Sequence, residues 1–100
     1  MKYLRVKWLH EFIDEPVIMY YEIDDNSIEL RKIELFKNGK VGYADFTYQI
    51  NGSYLSEGQF PDIEEIRKLK EFIVEEISKN EFEKVFNEKV EVLLLKQEKV

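Results

Sequence analysis

The hydrophobic period of this chain changes at Pro61-Asp62, and that change restricts the architectures open to it. Before Phe60 apolar residues recur every second position, as in half-buried strands; after Asp62 they recur at helical spacing. Leu4, Val6 and Trp8 alternate with Arg5 and Lys7, and Val17, Met19, Tyr21 and Ile23 alternate with Ile18, Tyr20, Glu22 and Asp24. Pro16 opens that second strand, where a missing N–H does least harm. Asp24-Asp25-Asn26-Ser27 reads as a turn, because these side chains bond their local backbone.

The third strand, Ile28 to Lys37, switches parity between Ile28/Leu30 and Ile33/Leu35. A regular strand keeps one parity on one face, so either a β-bulge sits near Arg31-Lys32, the favoured reading, or both faces are partly covered. Asn38-Gly39 is a strong hairpin signal leading into Val41–Ile50, which changes parity as well. Asn51-Gly52 repeats the signal and predicts a short fifth strand around Ser53–Glu57. The expected sheet is an antiparallel meander of about five strands, roughly residues 2–57.

Asp62 is placed as the N-cap of a helix over roughly 62–70, with Glu65 as its capping-box partner and Glu64 supporting Lys68. Phe72–Ile77 reads as a short sixth strand or an extended link, since Ile73-Val74 favours a strand. Ser78-Lys79-Asn80-Glu81 is a second capping box. It opens a helix over roughly 79–97 that carries Phe82, Val85, Phe86, Val90, Leu93 and Leu94 as one stripe. Strands first and helices afterwards make a single α+β domain, with the C-terminal helices covering one face of the sheet.

Composition narrows the chemistry. One hundred residues form one domain, and 44% hydrophobic content with seven Phe, six Tyr and one Trp excludes a disordered chain. A net charge of −6 argues against nucleic acid as a partner. Zero cysteines exclude disulfides, thiolate metal sites and cysteine nucleophiles, and a single histidine excludes a multi-histidine metal site. No cofactor is expected. The longest purely aliphatic run, Val92–Leu95, is far below the roughly 20 residues of a membrane span, and the N-terminus lacks a signal peptide's apolar run. Cytoplasm is the default expectation.

No catalytic constellation emerges. His10 with Glu11 and Asp14 lies in a loop rather than at the spacing of a metal site, and reads as a solvated histidine near carboxylates. Glu11, Asp14 and Glu15 precede the second strand and Glu22, Asp24 and Asp25 end it, some 25 Å apart at roughly 3.3 Å per residue. They cannot form one acid–base pair across that strand. None of the serines has nucleophile-elbow flanks, and Gly39-Lys40-Val41-Gly42 has no following helix to make a phosphate loop. Arg31 and Lys32 read either as an anion site or as the polar side of a strand.

Trp8-Leu9-His10, Asp14-Glu15-Pro16, Tyr21-Glu22-Ile23-Asp24, Arg31-Lys32-Ile33-Glu34, Phe60-Pro61 and Ile77-Ser78 together resemble a family of small, functionally uncharacterised bacterial domains. The resemblance covers roughly residues 1–89. It implies a stand-alone domain and no particular activity, with His10, Glu22, Arg31 and Lys32 at its recurring polar positions. Glu22 and Arg31 read equally as a cross-strand ion pair.

Size, acidity and absent chemistry together suggest a non-enzymatic bacterial immunity or inhibitor protein. Its partner would be a basic toxin domain, met by an acidic, Tyr-bearing surface of Glu11, Asp14, Glu15, Tyr20, Glu22, Asp24 and Asp25. One alternative is a small anionic-ligand or enzymatic site on the open sheet face, using His10, Glu22, Arg31 and Lys32. Another is a homo-oligomeric module, a homodimer through the C-terminal helix at Val92–Leu95.

Overall fold

Six antiparallel strands form one sheet in the computed structural model, which describes residues 1–98. The strands are β1 (Lys2–Trp8), β2 (Ile18–Ile23), β3 (Glu29–Leu35), β4 (Val41–Ala44), β5 (Gln49–Ile50) and β6 (Phe72–Ile77). Their order is β5-β4-β3-β2-β1-β6. The first five make a meander, with a fifth strand other than the one expected, and the chain then returns across the sheet so that β6 pairs with β1. Between them lies α1 (Ile63–Arg67); after β6 come α2 (Lys79–Val85), a π-helical turn (Phe86–Val90) and α3 (Glu91–Glu98). The α+β class and the C-terminal helix stand as read from the sequence.

The bulge sits one residue before its expected place. Glu22 faces Arg31 while Ile23 faces Glu29, so Leu30 is the extra residue of β3. This has a functional result: Glu29 and Lys32, three apart, come to one face and form an ion pair at 3.2 Å. Arg31 and Ile33 take the other face, toward the C-terminal helix.

The predicted strand Val41–Ile50 is two strands. Asp45 Oδ1 accepts the N–H groups of Thr47 and Tyr48, both at 2.7 Å, and this Asx-type turn separates β4 from β5. The change of parity in the sequence marks the turn. Asn51 and Gly52 both adopt positive φ (54° and 84°), as a tight turn after β5 requires. The fifth strand expected at Ser53–Glu57 is absent, because that segment crosses the sheet instead of joining its edge. It is held there by side chains: Lys32 Nζ donates to the Tyr54 carbonyl (3.0 Å), and Glu29 accepts the Ser56 N–H (3.1 Å).

The two helical regions lie on opposite faces, which corrects the expectation of one covered face. Phe82 and Val90, with Phe86, Leu93 and Leu94, pack on Tyr3, Ile33, Tyr43 and Ile50. Ile63, Ile66 and Phe60 pack on Leu4, Val6, Met19, Ile23 and Val74. A strand buried on both sides needs apolar residues of both parities, and β1 supplies Tyr3 to one cluster and Leu4 and Val6 to the other.

Both helix starts behave as capped ends. Asp62 accepts the Glu64 N–H (2.9 Å), and Ser78 accepts the Glu81 N–H (3.1 Å). The surface pairs of α1 differ from the expected Glu64–Lys68 contact: Glu64 meets Arg67 and Glu65 meets Lys68. A π turn interrupts the helix expected to run unbroken over 79–97, and Val90 at its end is fully buried in the same cluster as Phe82 and Phe86. Within Val92–Leu95, Leu93 and Leu94 join the core while Val92 and Leu95 remain exposed.

Gly42 has a steric role. A Cβ there would collide with Ser53 Oγ, whose hydrogen bond to Glu34 fixes the chain as it leaves β5. Ser53 is buried, so the clash cannot be relieved without breaking that bond. Gly42→Ala is expected to lower the unfolding free energy by about 1–3 kcal/mol, read as a shifted urea midpoint at unchanged slope.

Candidate functional site

Three arrangements of polar residues organise the molecule. The first lies under the C-terminal helix. Arg31 donates two bonds to Glu22 (2.8 and 2.9 Å) and two to Glu83 of α2 (both 3.0 Å). Its guanidinium also lies over the rings of Phe82 (4.7 Å) and Phe86 (5.1 Å). Glu22 accepts a further bond from the Tyr3 hydroxyl at 3.0 Å. The Arg31 bonds hold the Glu22 carboxyl below its ordinary range against the opposing effect of burial, with the Tyr3 bond adding to them.

Four of the five N–H donors of Arg31 are thus committed to carboxylates. The group clamps helix to sheet, and the helix occupies the face that the anion-site reading left open. His10, Glu22, Arg31 and Lys32 do not converge: Lys32 lies on the opposite face, and His10 belongs to a loop.

The second arrangement is on that opposite face. Lys32 Nζ meets Glu29 and the Tyr54 carbonyl and lies near the rings of Tyr21 (5.7 Å) and Tyr54 (5.9 Å). Beside it runs a shallow groove of about 360 Å³ walled by Met19, Tyr21, Phe60, Ile66, Leu69 and Phe72. Its buried charges, Lys32 and Glu29, pair with each other, and the exposed Glu65 at its rim pairs with Lys68.

Buried tyrosines make the fold sensitive to base. Burial, then the Glu22 bond, raises the Tyr3 phenol above its usual range. Burial, then the carboxylates Glu29 and Glu34, raises Tyr21, and burial with the Asp45 bond raises Tyr43. A raised folded-state value gives stability that is full below the unfolded value of about 10 and is lost as pH climbs beyond it. Absorbance of ionised tyrosine and loss of far-ultraviolet structure are therefore expected to rise together above about pH 10.

The third arrangement is the loop between β1 and β2. His10 is its clamp: Nδ1 accepts the Phe12 N–H (2.9 Å), which leaves Nε2–H to donate to the Pro16 carbonyl (2.8 Å). The ring also packs on Trp8 at 4.2 Å, and Trp8 packs on Phe72 at 5.8 Å. Held by this clamp, the loop turns Phe12 (65% exposed) and Ile13 (91% exposed) to solvent. Glu11, Asp14 and Glu15 flank them and are exposed.

Of the residues read as an acidic binding surface, Glu11, Asp14 and Glu15 share this loop. Asp24 and Asp25 lie at the far end of β2, where Asp24 Oδ1 accepts the Asn26 and Ile28 N–H groups and Asp25 meets the Met1 amine at 2.6 Å. Two members belong elsewhere. Glu22 is buried against Arg31, and Tyr20 packs on the helix-covered core with its hydroxyl accepting from Arg5 Nε at 3.3 Å. Sequence reasoning passed over Phe12 and Ile13, although two large apolar residues among the acids of a loop were the signal.

Among the described residues there is no cluster of three His, Asp or Glu able to hold a metal, and no helix long and apolar enough to cross a membrane. No curated protein and no solved structure matches the chain. Residues 2–91 match the model of a domain of unknown function, DUF6881, and the chain belongs to that family.

Proposed function

We propose that this domain is a non-enzymatic protein-binding module of the immunity or inhibitor type, which neutralises a basic toxin domain by covering it. The observation that carries the reading is the clamped loop, with Phe12 and Ile13 exposed amid Glu11, Asp14 and Glu15. Two adjacent large apolar side chains rimmed by polar residues fit an interaction site, and a loop already held by the His10 bonds loses less entropy on binding. Such residues serve as central anchors, and the carboxylates around them act as a rim that steers a basic partner. The net charge of −6 extends the same field over the surface.

The test is co-expression with the product of the adjacent gene, followed by affinity measurement at two salt concentrations. The complex is expected to weaken with salt through slower association. Ile13→Asp with Phe12→Ala is expected to lower affinity about thirtyfold or more, the loss of one hot spot. Reversing Glu11, Asp14 and Glu15 to lysine is expected to slow association about tenfold. A partner that is not basic, or loop variants that bind like the parent, would reject this reading.

A further inference from the structure

The outer edge of β6 is a second feature that invites a partner. The Leu9 N–H bonds the Glu71 carbonyl, so pairing alternates from that point and Ile73, Glu75 and Ile77 direct their backbone groups toward β1. Val74 and Glu76 direct theirs outward. Among the described residues their outward N–H and C=O groups have no hydrogen-bond partner. The strand has six residues in regular register and contains no proline, lysine or bulge; its charged guards are Glu75 and Glu76. The opposite edge, β5, has only two residues. Ile73 on β6 is 46% exposed.

We infer that β6 receives an extended segment of a basic protein partner as a seventh strand of the sheet, a mode in which main-chain bonds supply affinity and alternate side chains supply choice. The inference rests on the reading of a basic partner given above. Glu71, Glu75 and Glu76 set the charge of the edge. Arg5 and Lys2 meet Glu75 and Glu76 from the β1 side at 3.1 and 3.9 Å, yet both carboxylates keep more than half of their side-chain surface in solvent. An incoming strand meets them directly.

A second copy fits this edge poorly. Antiparallel self-pairing centred on Val74 sets Glu75 diagonally against Glu71 and Glu75 of the other copy. Centring it on Glu75 sets the two Glu75 side chains directly opposite each other. Like charges in either position oppose pairing, whereas lysines there favour it. The glutamates therefore act as a selector, excluding acidic strands and a copy of this one while admitting a basic strand.

The test is amide hydrogen exchange read by NMR on the whole chain, with a blocked hexapeptide alternating lysine and valine as probe. In one register its lysines fall on the face of Glu71 and Glu75 and its valines on that of Phe72 and Val74. In the free protein Val74 and Glu76 are expected to exchange fast, with Ile73 and Glu75 slow. Saturating peptide is expected to slow exchange at Val74 and Glu76 about tenfold or more. Glu76→Pro, which removes an outward N–H and no bond to β1, is expected to abolish that protection. Should that variant not fold, Glu75→Lys with Glu76→Lys is expected to reverse the preference toward a glutamate–valine peptide. Absence of protection, equal protection by either peptide in the parent protein, or concentration-dependent protection without peptide would each overturn the inference. The Phe12/Ile13 variant keeps the edge intact, so its peptide response should match the parent; failure of the loop reading and failure of the edge reading are thereby separable.

Discussion

Arg31→Ala is expected to lower the unfolding free energy by about 3–5 kcal/mol, the range for breaking a buried ion pair by removing one partner. The substitution strands Glu22, which is 9% exposed, and Glu83, and it removes the cation resting on Phe82 and Phe86. The uncompensated carboxylate is the main cost, so Glu22→Gln with Arg31→Met should be less damaging than Arg31→Ala alone. Urea denaturation of the three proteins decides this; an Arg31→Ala midpoint equal to that of the parent would show that the network contributes nothing. The acid response follows from the same bonds. A depressed Glu22 value gives stability that is present above the ordinary carboxylate range and is lost as pH falls through the folded value. The urea midpoint of the parent should therefore fall at acid pH more steeply than that of the Glu22→Gln, Arg31→Met variant.

Phe82→Ala is expected to cost about 3–5 kcal/mol as well, by a different mechanism. The ring is fully buried, lies 5.5 Å from Tyr3 and 4.7 Å from the Arg31 guanidinium, and is the first anchor of the C-terminal helix on the sheet. Its loss leaves a cavity that neighbouring side chains fill only in part. Because Phe82 and Arg31 touch, their effects are expected to be non-additive, with a coupling energy of about 0.5–3 kcal/mol in a double-mutant cycle. Strict additivity of the two losses would place the ion network and the ring in separate units.

The acidic surface read from the sequence is divided in the structure: Glu11, Asp14 and Glu15 share one loop, Asp24 and Asp25 lie at the far end of β2, and Glu22 is buried. Glu22 and Arg31 were already adjacent as a possible cross-strand pair, and the ladder places them directly opposite each other. What the sequence could not supply was Glu83, whose carboxylate comes from 52 residues away to fill the other side of the guanidinium. Without that contact Arg31 read either as an anion site or as the polar side of a strand. Phe12 and Ile13 were concealed for the opposite reason: an apolar residue in a sequence counts toward the core by default, and only the fold shows which ones the core leaves out.

Local chemistry determined much by itself. The strand period of β1 and β2, the side-chain caps at Asp62 and Ser78, the hairpin at Asn38-Gly39 and the bulge beside Arg31 all depend on residues within a few positions of one another. Those interactions are formed by neighbours along the chain, so the sequence contains them in full. Tertiary structure alone decided that α1 and the C-terminal helix take opposite faces, that β6 closes on β1 and leaves its own outer edge unpaired, and that the His10 clamp presents Phe12 and Ile13. Each of these depends on which distant surfaces bury one another, and burial is a property of the assembled chain that no local pattern carries.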